Sequence, residues 1–171
     1  MKETAERLMD LAESHIRDAG YGSFSFRDLA AEIGIKSASV HYHFPTKATM
    51  TAAVARRYAD RFFAAVAPRP NETADDAIAS YRSAFTAALD QDGMMCLFGV
   101  LGAEAGGLSR EIGDEILSFF RRCIADLSQR IGGPDGEARA FQTIATLEGG
   151  MILARAYQSR EVFARAVSDL M

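Results

Sequence analysis

Residues 24–47, FSFRDLAAEIGIKSASVHYHFPTK, constrain the fold of this chain more than any other stretch. They read as two short helices joined by a tight turn, with a further helix beginning at the end. Ser25 has Asp28 three residues on, the spacing at which a hydroxyl and a carboxylate cap a helix reciprocally. Phe24 and Leu29 flank the cap at the spacing of a hydrophobic staple. Phe26, Leu29, Ala30 and Ile33 then form one apolar stripe at helical period. Gly34 can take the left-handed conformation that ends a helix, and Ile35 can anchor the turn. The next helix, Ser37 to His43, has only Val40 and Phe44 as inward anchors. Core packing alone explains little of so polar a helix, whereas a helix laid in a groove of DNA has this composition.

The remaining composition bounds the alternatives. The 171 residues are 49% hydrophobic and 25% charged, an ordinary globular balance with room for one core or two small ones. No stretch approaches the ~18 uninterrupted apolar residues of a membrane span. The N-terminus, MKETAERLMDLAESH, has no apolar core of a signal peptide. Two cysteines, Cys96 and Cys123, make no disulfide framework, so a reducing cytoplasm is expected. Net charge is −4, which by itself disfavours nucleic acid. Its distribution is uneven: residues 1–61 carry nine basic and eight acidic side chains, and residues 62–171 carry ten and fifteen. Between 27 and 61, Arg27, Lys36, Lys47, Arg56, Arg57 and Arg61 face three acids, Asp28, Glu32 and Asp60. A mildly basic head on an acidic body suits a DNA-binding unit.

Taken in order, the chain reads as helix after helix. Glu3 to Ala19 buries Leu8, Leu11, Ala12 and Ile16 on one face. Pro45 breaks the third helix, and Thr46 can cap a fourth running to about Val66, a connector between head and body. Pro68-Arg69-Pro70-Asn71 is a strong breaker. Helical pattern resumes at Glu72, with Ile78, Tyr81, Phe85 and Leu89 as its stripe. Residues 94–105, MMCLFGVLGAEA, are apolar nearly all round, as in a buried helix. Later helices follow over about 109–131, 137–157 and 161–170, with Gly132-Gly133-Pro134 as a second strong break. No strand alternation stands out. The expected fold is all-α, about nine helices: a DNA-binding domain over 1–47, with the helix-turn-helix at about 24–43, and a body over 48–171 joined by the 46–66 connector.

The N-terminal pattern resembles that of the TetR family of bacterial transcriptional regulators over residues ~5–55. Gly20-Tyr21, Ser25, Leu29-Ala30, Gly34-Ile35, Val40, Tyr42, Phe44 and Lys47 match the family pattern. Lys36, His41 and Ala48 depart from it, and with Lys36 in place of a capping serine, Ser37 is the expected cap. The resemblance implies a homodimer held by the last two helices, a palindromic operator, a third helix in the major groove, and a ligand cavity in the body. On that basis Lys36, Ser37 and Ser39 are candidates for base edges, with Ala38 allowing close approach. Ser25, Arg27, His41, Tyr42, His43 and Lys47 are candidates for phosphate.

In the body, Cys96, Leu97, Gly99, Leu101 and Glu104 are similar to a segment found in electrophile- and aldehyde-responsive members of that family. Cys96 is thus either a sensing thiol or a small buried core residue; Cys123, within an apolar stripe, reads as core. Phe85, Met94, Met95, Phe98 and Phe119 suit an adaptable apolar cavity, while Glu104, Glu148 and Arg155 are charges on apolar segments able to anchor a ligand or to reach solvent. The three histidines and the cysteines make no metal cluster, and no cofactor motif or nucleophile–base pair is legible. The sequence therefore predicts a non-enzymatic, DNA-binding transcriptional regulator, a repressor released by an unidentified small molecule or a thiol-reactive inducer. The alternative is a helical small-molecule-binding protein without operator specificity; an enzyme ranks third.

Overall fold

The computed structural model describes residues 2–92 and 95–170, so Met94 lies outside the described residues. Among them are nine α-helices and no strand: α1 (Lys2–Ala19), α2 (Phe26–Ile33), α3 (Ser37–His43), α4 (Lys47–Ala65), α5 (Ala74–Asp92), α6 (Leu97–Ala103), α7 (Arg110–Ile131), α8 (Gly136–Tyr157) and α9 (Arg160–Ala166). Short 3₁₀ turns occupy Tyr21–Ser23 and Ala105–Gly107. The chain divides into two units: Met1–Ala59 with Leu97–Leu117, and Asp60–Cys96 with Ser118–Met171. The first unit thus reaches past residue 47 and takes in α6. None of the helices among the described residues is long and apolar enough to cross a membrane.

The first unit is built around Leu8, Ala12, Ile16, Leu29, Val40, Met50 and Val54, all of them buried. Phe98 of α6 meets Tyr58 edge-on, with ring centroids 5.9 Å apart. Ions fasten α4 to α1. The Arg57 guanidinium lies 2.9 Å from Glu6, 2.8 Å from Asp10 and 3.4 Å from Glu13.

The second unit has an aromatic centre. Phe62 meets Tyr81, Phe85 and Phe119 at centroid distances of 5.5, 5.9 and 5.1 Å, in edge-to-face arrangements. Beside it, Arg130 forms a closed polar network. Its guanidinium contacts Glu72 at 2.6 Å and Asp126 at 2.7 Å, and donates to the Val66 carbonyl at 2.9 Å and to Ser80 Oγ at 3.2 Å. Tyr81 donates to the same Asp126 at 2.8 Å. One buried cation so ties the end of α4 to α5 and α7.

Two expected helix bounds need correction. The apolar run at 94–105 is helical only over Leu97–Ala103, with Met95 and Cys96 ahead of the helix. Hydrophobicity marks the buried run, but not where hydrogen bonding begins. The last helix ends at Ala166 rather than 170. In α8, Phe141 and Ile152 are exposed, while Ile144, Leu147 and Met151 are buried, so the helix is apolar on two faces.

Candidate functional site

The capping box at residue 25 is complete. The Asp28 N–H donates to Ser25 Oγ at 3.3 Å, while the Ser25 N–H and hydroxyl donate to Asp28 Oδ2 at 2.9 and 2.6 Å. The same bonds hold the Asp28 carboxyl below its usual range. Both donors of Ser25 are thereby directed at Asp28 rather than outward, and Arg27 is the exposed cation of this turn. Gly34 ends α2 at φ 74°, its N–H bonded to Ala30 and Ala31 carbonyls, and the Ile35 N–H reaches the Ala30 carbonyl at 2.9 Å. That left-handed residue turns the chain sharply into α3.

Lys36 occupies the N-cap of α3, and its side chain makes no capping bond. Ser37 is the first helical residue and not the cap expected of it. Val40 and Phe44 are buried, and they fix the helix from one side. Lys36, Ala38, Ser39, His41 and Tyr42 are exposed, Tyr42 at 72%. The His41 ring rests edge-on against Phe26 at 4.9 Å, and His43 stands between Tyr42 and Phe44 at 5.3 and 6.5 Å. The outward face thus joins small residues, which permit close approach, with hydrogen-bonding side chains at its edges.

Lys47 does not point outward as a phosphate contact requires. Its ammonium donates to the Phe24 carbonyl and lies over the Tyr21 and Phe24 rings at 4.5 and 4.1 Å. Burial lowers its pKa, and the nearby Glu104 and Asp28 partly restore it. Arg56 and Arg57 are likewise engaged, by Glu115 at 2.6 Å and by the three acids of α1. Three of the six basic residues counted along the sequence, Lys47, Arg56 and Arg57, are thus engaged by other groups of the first unit, Arg56 while remaining exposed. Of the six, those that α2 and α3 expose are Arg27 and Lys36.

The candidate ligand residues fall in two places. Phe98 and Glu104 belong to the first unit, where Phe98 packs on Tyr58 and Glu104 accepts from the Tyr21 N–H at 3.0 Å. Glu104 is therefore a partner of the α1–α2 turn and not of a cavity in the body. Phe85, Met95, Cys96, Phe119 and Glu148 belong to the second unit, all but Glu148 buried as whole residues. Both carboxylate oxygens of Glu148 are buried and lack a hydrogen-bond partner of full geometry. Burial pushes its pKa up to about 7, and the Cys96 thiol beside it lowers it in part. Cys123 is buried too, and burial, then the Glu148 and Asp126 carboxylates, push its thiol well above the ordinary range. A cavity of about 480 Å³ lies elsewhere in this unit, lined by Arg82, Leu89, Asp90, Arg160, Phe163 and Val167 among others; none of the candidates lines it. In it Arg160 lies 3.3 Å from Asp90, and Arg82 donates to the Leu170 carbonyl at 3.3 Å. No group of three or more His, Cys, Asp or Glu is placed to hold a metal ion among the described residues.

On α8, one of the two helices expected to hold a dimer, Phe141, Ile152, Leu153 and Tyr157 are exposed by 57, 57, 47 and 71%. The apolar residues at 141, 152 and 153 fall out of phase with the buried stripe through 144, 147 and 151.

Residues 8–54 match the family model described as bacterial regulatory proteins, tetR family. No curated protein sequence matches the chain. Among solved structures, a TetR transcriptional regulator from Legionella pneumophila is 29% identical, with 96% of this chain and 94% of that one covered and a TM-score of 0.89. A TetR-family regulator from Agrobacterium tumefaciens is 23% identical over 98% and 95% of the two chains, with a TM-score of 0.90. The reduced form of NemR from E. coli is 21% identical over 98% and 95%, with a TM-score of 0.81. The last two likenesses concern the fold.

Proposed function

The chain belongs to the TetR family of DNA-binding transcriptional regulators, and on that premise we propose that it is a repressor which holds a palindromic operator as a homodimer and leaves it when an inducer enters the second unit. The observation that carries the reading is α3, a helix anchored by Val40 and Phe44 whose exposed face is small and polar. Lys36, Ser37 and Ser39 face base edges, Ala38 gives the helix its close approach, and Arg27, His41, Tyr42 and His43 contact phosphates around them.

The second copy docks on α8. Its outward residues Phe141, Ile152, Leu153 and Tyr157 form the kind of apolar surface that marks a protein interface. Two heads then meet successive major grooves, one helical turn or a little more apart.

The inducer site is the neighbourhood of Cys96 and Glu148 rather than the α5–α9 cavity. In that cavity Arg160 is paired with Asp90 and Arg82 donates to a backbone carbonyl, whereas Glu148 is a buried carboxylate with unmet hydrogen-bonding capacity. A thiol-reactive inducer such as N-ethylmaleimide adds at Cys96: sulfur bonds to one alkene carbon, and the thiol proton ends on the other.

The test is affinity selection of DNA by the full-length protein, followed by titration of the selected sequence with and without N-ethylmaleimide. Selection of a palindrome, and its release by the reagent in wild type but not in Cys96→Ser, is the expected result. Release that persists in Cys96→Ser returns Cys96 to the core; failure to select any sequence refutes operator recognition.

A further inference from the structure

The turn between α1 and α2 is held from two sides by residues distant in sequence. Gly20 adopts φ 89°, a conformation L side chains rarely take. A Cβ added there would lie 2.2 Å from Glu104 Oε1. The second carboxylate oxygen accepts from the Tyr21 N–H at 3.0 Å. From the other side, the Lys47 ammonium takes the Phe24 carbonyl and covers both aromatic rings of the turn. The Ser23 hydroxyl closes the turn internally, onto the carbonyls of His15 at 2.9 Å and Gly20 at 2.7 Å. Glu104 itself is set by the backbone just beyond α6, where its N–H bonds to the Leu101 carbonyl at 3.2 Å and its carbonyl accepts from Gly107 at 2.9 Å.

We propose that Glu104 is a positioning residue for DNA binding: its carboxylate latches the Gly20–Phe24 turn to the end of α6 and so sets how α2 and α3 stand on α1. This rests on the reading that α3 contacts the operator. The two partners are complementary in a way that simple space-filling does not require. Only glycine leaves room for the carboxylate, and only an acceptor satisfies the Tyr21 amide. Without the latch, that amide lacks its partner and Gly20 regains the wide freedom of its backbone. The head then spends part of its time in other orientations, and operator affinity falls by the fraction of time the competent one is lost. The latch also gives the segment 97–104, which begins next to Cys96, a direct hold on the reading head.

The experiment compares full-length Glu104→Ala and Glu104→Gln with wild type. It measures affinity for the selected operator, thermal unfolding, and hydrogen exchange of the Tyr21 amide. Glu104→Ala should lose about tenfold in operator affinity, with faster Tyr21 exchange and a melting temperature within a few degrees of wild type. Glu104→Gln keeps an acceptor oxygen and should recover most of both. Wild-type affinity in Glu104→Ala overturns the proposal, as does an equal fall of affinity and melting temperature in both variants. Should wild type select no operator, the reading of α3 fails separately, and unchanged Tyr21 exchange in Glu104→Ala still refutes the latch.

Discussion

The outward faces of α3 and α8 are both left uncovered by the rest of the chain, yet they are opposite in chemistry. That of α3 carries Lys36, Ala38, Ser39, His41 and Tyr42, with two apolar anchors behind it. That of α8 carries Phe141, Ile152, Leu153 and Tyr157, with a second apolar stripe behind it. A polar surface keeps its hydration until a partner of matching donors and acceptors replaces it, whereas an apolar one gains simply by leaving water. The first face suits a ligand read by its edge pattern, and the second a copy of the same surface. The contrast teaches that unexplained exposure means different things on a polar and on an apolar helix.

Each face can be broken separately. The largest effect is expected from Ile152→Asp, which sets a charge in the middle of the apolar stripe. The dimer should dissociate in sedimentation, and operator affinity should fall by roughly 10²–10⁴, the gain that linking two binding heads supplies. A dimer that persists with unaltered affinity places the interface elsewhere.

A second change touches α8 on its buried side. The folded pKa of Glu148 is raised from 4.5 to about 7. An acid raised in this way holds its proton more tightly in the fold than in the unfolded chain. Its contribution is therefore fully present below pH 4.5, declines as the pH climbs towards 7, and is absent above that. The difference amounts to at most about 3 kcal/mol. Glu148→Gln should flatten this decline in urea unfolding measured from pH 4 to 8, while leaving the dimer intact. An unchanged pH profile means that the carboxylate is solvated.

On α3, Ser39→Ala should alter base preference at one position of each half-site, by about 1–3 kcal/mol in competition binding. Unchanged preference removes Ser39 from the reading surface. The smallest effect belongs to Arg27→Ala, which should weaken all sequences about equally. It should reduce the salt slope of the dimer by about 2, one phosphate contact per subunit. A loss confined to one sequence makes Arg27 a base contact instead.

The head was legible because its determinants are local. Ser25 with Asp28, Gly34, Val40 and Phe44 act within a few residues of one another, so spacing along the chain carries the geometry. The electrostatics were not legible, because they are settled by distant partners. Lys47 turns inward to a carbonyl twenty-three residues away, Arg57 meets acids of α1, and Glu104 reaches Tyr21 across eighty-three residues. Counting charges along the sequence could not separate cations that fasten the head from those that face outward. The ligand residues were least legible. Periodicity marked Phe85 and Phe119 as buried, but could not show that Phe98 and Glu104 belong to a different unit. Nor could it show that Glu148 is buried without a full hydrogen-bond partner.

The central claim is that paired α3 helices read operator DNA through phosphate-anchored heads. The most direct test is binding of the selected operator as a function of salt. With the Arg27 phosphate contact on each of two subunits, log K should fall with log salt at a slope of about −2 or steeper. A slope near zero, or equal affinity for the selected operator and for random duplex, contradicts the account.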